Sequence, residues 1–340
     1  MSNDDRKGVF IGGICALKLM KEIVISASTF SILAAGAATA QNYPAKAVKI
    51  VVGFAAGGAT DTFSRTIAQK LTDRLGQPFV MENRTGAGGI IAAEFVAKAP
   101  PDGYTLQAAD IGANAIAVSL YSKLAFDPVK DLAPVHHTIL LPIILLVHPS
   151  LPVRTVKDLV ALAKARPGQL DYVSAGTGGI AHLAPELFKS MAGIDLLHIP
   201  TKGGAQQVID LMGGHAHLTF TSIPTSLPYV KAGKLRAVAA AGTRRSSLLP
   251  EIPTIAESGY PGYSGDSWGG FAAPARTPVE IVNHLNGEIN SLVALPDVKV
   301  RLAGMGFIVV GGTPAEFGEF IRAETAKWAK VVKQSSARVD

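Results

Sequence analysis

Two α/β units, each built on a parallel sheet, are the fold class predicted by this 340-residue sequence. Three observations carry the prediction. The length exceeds one ordinary domain and suits two. A strand, a glycine-rich loop and an amphipathic helix follow one another near residues 48–75, and the same phrase recurs near 170–191. Strands also alternate with helical stretches elsewhere, the order that yields parallel pairing through right-handed crossovers.

In the first unit, residues 48–54 read as a buried strand that opens onto Ala55-Ala56-Gly57-Gly58-Ala59-Thr60-Asp61. A helix starts there, because Phe63, Ile67, Leu71 and Leu75 recur every four residues, and Gly76 stops it. Residues 78–82 form the next strand, 84–89 a glycine loop and 90–99 a second helix. Pro100-Pro101-Asp102-Gly103 is a turn leading into a strand over 104–109. The most apolar run of the mature chain, Ile139 to Val147, has strand length and contains Pro142.

The second unit repeats the phrase. Residues 170–174 are a strand, Ala175-Gly176-Thr177-Gly178-Gly179 a loop, and 180–191 a helix ended by Gly193. Its expected buried stripe is Leu183, Leu187, Phe188 and Met191. Strands at 194–199, 217–221 and 235–241 follow, with a helix at 205–212. A short strand at 268–274 precedes two terminal helices, 279–293 and 314–332.

Composition narrows the function. Hydrophobic residues are 48% and charged residues 17%, an ordinary globular balance. Aromatics at 6% leave little for base stacking, and the charge of +6 is spread rather than clustered, so no nucleic-acid partner is expected. One cysteine excludes a disulfide scaffold and a cysteine-based zinc cluster.

Residues 23–40 form an apolar, small-residue run behind Lys18 and Lys21, closing on Ala38-Thr39-Ala40. This is the pattern of an export signal, with cleavage expected after Ala40 and residues 1–41 removed. Asp4 and Asp5 are unusual for a leader, and Met20-Lys21 would begin a more compact one. Removing four basic and three acidic residues leaves 28 against 23, and Cys15 goes with the leader. No lipid anchor is expected, since Cys15 lacks a lipobox. The expected location is the periplasm.

The glycine loops carry the chemistry. A helix that begins directly after such a loop offers free backbone N–H donors and the positive end of its dipole, and so binds carboxylate or phosphate without a cation. Two such termini, one per unit, would hold a small organic acid between them. Asp61 either touches the ligand or caps its helix and pairs with Arg65. His182 either donates to the ligand or fills the first helical turn. Lys202 is the candidate cation at a strand end.

Competing chemistries are poorly served. Gly176-x-Gly178-x-x-Ala181 formally fits a dinucleotide loop, but the following strand ends His198-Ile199-Pro200 without the acidic partner. A secreted α/β hydrolase would need a Gly-x-Ser-x-Gly elbow, and Gly262-Tyr263-Ser264-Gly265-Asp266 falls one glycine short. His136-His137 and His215-x-His217 have no neighbouring ligands at metal spacing. Neither cofactor, metal nor catalytic residue is therefore expected.

The sequence resembles the substrate-binding proteins of tripartite tricarboxylate transporters, the Bug family of periplasmic receptors. The resemblance rests on Tyr43-Pro44, Gly57-Gly58-x-x-Asp61, Glu82-Asn83-Arg84-x-Gly86-Ala87-Gly88-Gly89 and Pro101-Asp102-Gly103-Tyr104. It continues through Ser174-x-Gly176-x-Gly178-Gly179-x-x-His182, Lys202-Gly203-Gly204, Ile252-Pro253-Thr254-x-x-Glu257 and Trp268-Gly-Gly-Phe-x-x-Pro274. It implies a type II periplasmic binding fold, two α/β domains closing on a ligand cleft. It also implies delivery of a small organic acid to membrane permease subunits, by a monomeric receptor without catalysis.

The family's ligand-holding role falls on Phe54, Ala55, Ala56, Gly57, Gly58, Ala59, Thr60 and Asp61 of the first loop. In the second it falls on Ser174, Ala175, Gly176, Thr177, Gly178, Gly179 and His182, with Lys202 beside them. The first loop departs from the family at Gly53, where proline is usual, which implies a looser turn. Asp110-Ile111-Gly112-Ala113-Asn114 and His136-His137 also depart from the usual pattern. The expected domains are 42–147 with 269–340, and 148–268, with crossings near 146–150 and 267–270. A receptor recruited to a sensor kinase is the remaining alternative.

Overall fold

The computed structural model describes residues 43–201 and 204–335. The leader over 1–41 and Lys202 lie outside the described residues. The chain runs β1 (Val48–Val52), α1 (Ala59–Leu75), β2 (Phe79–Asn83), α2 (Ile90–Ala97) and β3 (Thr105–Asp110). A π-helical turn at Gly112–Ile116 and the short helix α3 (Ala117–Leu120) lead to β4 (Leu132–Leu141). Next come β5 (Ile143–Val147), α4 (Val156–Ala165), β6 (Asp171–Ser174), α5 (Ile180–Ala192) and β7 (Leu197–Pro200). They are followed by α6 (Gly204–Met212), β8 (Leu218–Ser222), α7 (Ile223–Lys231) and β9 (Arg236–Ala240). The chain closes with β10 (Ser267–Pro274), α8 (Val279–Ala294), α9 (Pro296–Gly304), β11 (Ile308–Val309) and α10 (Pro314–Ser335).

These strands make two sheets, ordered β11-β4-β10-β3-β1-β2 and β7-β6-β8-β5-β9. The parallel strands β1, β2 and β3 come from the first β-α-β-α-β run. In the same way β6, β7 and β8 are parallel in the second sheet. Antiparallel strands complete both, with β10 paired to β3 and β4, and β5 paired to β8 and β9.

Pro142 separates two strands in two different sheets, so the apolar run over 139–147 is not one strand. Proline cannot donate to a ladder, and the chain changes sheets where the ladder is broken. The first crossing therefore lies at Pro142, earlier than the expected 146–150, and β5 belongs to the second sheet. The return to the first sheet begins at Ser267.

Helix α1 ends as its sequence suggests, with Gly76 in the left-handed region at φ 71°. Helix α5 ends the same way at Gly193. Its buried stripe differs from expectation: Leu183, Ala184, Phe188 and Ala192 are buried, while Met191 is 38% exposed. Leu187 packs partly against both lobes' cores, because α5 stands between them. Helices α4, α7 and α9 are additional to those expected from periodicity. Thr155 and Asp158 form a reciprocal capping box that starts α4. Helix α7 carries Pro228 inside it, and α9 has proline in its first turn.

The first lobe's core gathers Trp268, Phe317 and Trp328, and the second's Tyr172, Phe188, Phe220 and Tyr263. Trp268 is packed edge-on to His137, Phe317 and Phe320, away from solvent. The terminal helix α10 ties the lobes. Lys327 Nζ donates to the Ser264 carbonyl at 3.1 Å, and Ser190 Oγ donates to Gln334 at 3.0 Å.

Candidate functional site

The loop from β1 to α1 is held from behind by a charged cluster. Asp61 Oδ2 accepts from the Gly57 N–H at 2.9 Å and from Arg65 Nε at 2.7 Å. Its Oδ1 accepts from Asn83 Nδ2 at 2.9 Å, and the same amide also donates to the Phe54 carbonyl. Burial alone would raise the Asp61 carboxyl, but the hydrogen bonds from Arg65, Gly57 and Asn83 outweigh it and hold the pKa below 3.8. Asp61 is therefore a positioning residue turned into its own loop. Gly58 is the helix N-cap with no side chain capping it, so the first-turn amides of α1 point onward without an intrahelical acceptor.

The second loop repeats the geometry with different chemistry. The Gly178 N–H donates to His182 Nδ1 at 3.0 Å, again four residues ahead. With Nδ1 accepting, the neutral ring carries its proton on Nε2. His182 stacks on His198 with ring centroids 3.9 Å apart. Burial lowers both imidazoles to about 4, so both are neutral. Gly179 is the N-cap of α5 and, like Gly58, lacks a side-chain cap.

Ser174 Oγ lies 2.7 Å from His198 Nε2, a contact a hydrolase reading would seize on. The hydroxyl, however, donates to the Gly176 carbonyl at 2.9 Å and is fully buried. It braces the loop from outside the cavity lining.

Both loops line one cavity of about 490 Å³. Phe54, Gly58, Ala59 and Thr60 come from the first loop and Ala175 through Gly179 from the second. Ala55, Ala56, Gly57, Asp61, Ser174 and His182 are outside the lining, and Asp61, Ser174 and His182 brace the loops through hydrogen bonds. The lobes nearly touch at this point, since a Cβ added to Gly178 would fall 2.2 Å from Leu120 Cδ2. Gly178 also has φ 84°, so glycine is needed there twice over.

A third wall was not assigned from sequence. Ala87, Gly88 and Ile90 line the cavity, as do Asp110, Ile111, Gly112, Ile116, Ala117, Leu120, Tyr121 and Ser267. The signal for it was topological: Asp110 closes β3, and the carboxyl ends of parallel strands are where open α/β sheets bind ligands. The Gly53 departure has a related cause. A Cβ there would lie 2.5 Å from Gly89 Cα, so the 86–89 loop packs against the space that a side chain would take. The turn is tightly packed rather than loose.

Arg84 anchors that loop by pairing with Glu82 and lying over the Phe95 ring at 3.6 Å. His136 and His137 are buried in β4, His137 stacked on Phe320, and burial lowers both to about 4. His217 is bonded to Asp171 at 2.8 Å. Among the described residues no group of three metal-ligating side chains occurs.

The cavity thus offers main-chain donors from two helix N-termini, apolar walls and, among the described residues, no lysine, arginine or histidine in its lining. Such a site suits a small acid whose charge is met by amides and dipoles. A separate hollow of about 460 Å³ lies beside α5 and β7, but it belongs to one lobe apart from Ser335, and its Lys189 is paired with Glu186 at 2.9 Å.

Two α/β lobes around a shared cleft define the type II periplasmic binding class. Comparison with known proteins places the chain further: residues 63–336 match the tripartite tricarboxylate transporter family receptor, and the chain belongs to that family. It is 36% identical over 302 residues to Protein BugT of Bordetella pertussis, covering 88% of this chain and 93% of BugT. Among solved structures, an R. palustris protein with adipate is 39% identical, with a TM-score of 0.78 over 87% of this chain and 100% of that one. MatC of Rhodopseudomonas palustris with bound malate is 32% identical, with a TM-score of 0.73 over 85% of this chain and 100% of MatC.

Proposed function

We propose that this protein is an exported receptor that captures a small organic carboxylate between its lobes and delivers it to the permease of a tripartite tricarboxylate-type transporter. One observation carries the reading: two uncapped helix N-termini, one from each lobe, open onto a single cavity. The relatives solved with adipate and malate favour a ligand with two carboxyl groups. Each helix terminus contributes roughly 0.3–1 kcal/mol per anion when exposed and more when enclosed. Apolar side chains such as Ile90, Ile111 and Leu120 then select by length and shape.

Closure of the lobes on the acid is the signal read by the permease, and the protein acts by binding, without turnover. Among the described residues no helix is long and apolar enough to cross a membrane. Isothermal titration of ligand-stripped protein against a panel of mono- and dicarboxylates tests the reading. Saturable one-to-one heats with at least one dicarboxylate are expected, and heats with none would refute it. Native mass spectrometry of the protein as purified would weigh any acid it retains. In thermal melts, an acid at 100 times its Kd should add about 2.7 kcal/mol.

A further inference from the structure

Among the described residues the one carboxyl group in the cavity lining is Asp110, and its two oxygens are treated differently. Oδ1 accepts from the Gly112 N–H at 2.7 Å and from the Ala113 N–H at 3.2 Å, which fixes the group at the end of β3. Oδ2 is buried without a hydrogen-bond partner among the described residues. It sits against Gly89, where an added Cβ would lie 3.0 Å from it and 3.5 Å from Phe54 Cε2. An unpartnered carboxylate oxygen in a desolvated wall is costly, and nearby negative charge makes it costlier.

Among the described residues the lining supplies no cation. Among these residues the Asp110 carboxyl meets the Gly112 and Ala113 amides just beyond its strand, and Gly89 of the 86–89 loop. The other titratable group in the lining, among the described residues, is the Tyr121 phenol. The Asp61–Arg65 pair braces the first loop from outside the lining and is satisfied within its own cluster. Burial accordingly raises the Asp110 carboxyl to about 7 against the two amide bonds that lower it.

We propose that Asp110 is a specificity-determining residue that carries a proton whenever an anion occupies the cavity, so that capture of a carboxylate takes up one proton. This rests on the carboxylate reading of the cavity. Two negative charges sharing one low-dielectric site cannot both stay ionised, and the ligand's charge is the one met by the helix amides. Asp110 then either donates from Oδ2 toward the ligand or simply stands neutral beside it. A ligand bearing an ammonium group would demand the opposite, an ionised Asp110.

The sign follows from linkage. The protonated form binds, so affinity for a dicarboxylate falls as pH rises through the carboxyl's titration. Titrating adipate and malate at about pH 6 and about pH 8 should show roughly tenfold weaker binding at the higher value. Repeating the titration near pH 7.5, in two buffers of different ionisation heat, should show protons taken up on binding. Asp110→Asn keeps an acceptor for Gly112 and Ala113 and places an uncharged amide at Oδ2. It should bind at the higher pH as tightly as the wild type does at the lower, with no proton uptake.

The buffer experiment needs only the wild-type protein, so it decides the matter even if the variant folds poorly. Dicarboxylate binding that is independent of pH, or that releases protons, overturns the role of Asp110 and leaves the receptor reading intact. So does loss of dicarboxylate binding in a folded Asp110→Asn protein. Binding of no mono- or dicarboxylate by either protein overturns the carboxylate reading itself, and this inference with it.

Discussion

The two glycine loops do the same geometric work with different chemistry. In each, a loop N–H is held by a side chain four residues ahead: Gly57 by Asp61, Gly178 by His182. The first acceptor is a carboxylate locked to Arg65 and Asn83. The second is a neutral imidazole stacked on a second imidazole. A charged network resists acid until the carboxylate itself takes a proton. An imidazole stops accepting as soon as Nδ1 is protonated. The same backbone pose therefore comes with two different acid sensitivities, and the second loop is the fragile one.

The largest expected effect breaks the first brace. Asp61→Ala leaves the Gly57 N–H, the Asn83 amide and Arg65 without their shared acceptor, and should cost about 2–3 kcal/mol in denaturant titration. Dicarboxylate affinity should fall at least tenfold. His182→Ala removes one neutral acceptor and a stacked ring, so it should cost about 1–2 kcal/mol. Equal losses in the two variants would erase the distinction between the loops.

Gly178→Ala comes next, placing a methyl group on Leu120 at a left-handed backbone position. About 1–2 kcal/mol of strain is expected, with a larger loss of affinity because the cavity wall moves. Unchanged binding would show that the lobes do not meet at this point.

The pH dependence sharpens the comparison. His182 has a pKa of about 4 in the folded protein against an ordinary 6.5. The opened state therefore binds more protons between those values, and the stability of the second loop declines as pH falls across that window, by up to about 1.4 kcal/mol per pH unit. His198 shifts in the same direction and adds to the decline there, while His136 and His137 in β4 give the first sheet a similar loss away from its loop. Asp61 is depressed below 3.8, so its contribution is complete above that pH and is lost only in stronger acid. Hydrogen exchange at about pH 5 should expose Gly178 before Gly57. The reverse order would contradict the account. The smallest effect is a control: Glu94→Gln removes an exposed helix pair with Lys98 and should shift stability by less than about 0.5 kcal/mol.

The parts of the fold that were legible in the sequence are those where local signals act alone. Period-four apolar residues and a terminal glycine bound α1 and α5, because the same residues both pack the helix and stop it. Met191 went astray since α5 is clasped by two cores, which widens and rotates its buried face. Pro142 was visible, but its meaning depended on which sheet each side joined, a non-local fact.

The site divides the same way. Glycine loops announce themselves, because close backbone approach excludes other residues. Asp110 did not, because nothing local distinguishes a carboxylate that caps a turn from one that also faces a cavity assembled by distant segments. Asp61 and His182 were legible as residues of the loops, but their direction was settled only by the hydrogen bonds they make backward.

The central claim is that main-chain donors from both lobes grip the acid. Amide nitrogen NMR during titration with a bound dicarboxylate measures this directly. The largest downfield amide proton shifts should fall on Ala59 and Thr60 in one lobe and on Ile180 and Ala181 in the other, rising together with one affinity. Shifts confined to one lobe, or saturating binding that leaves these four amides unmoved, would contradict it.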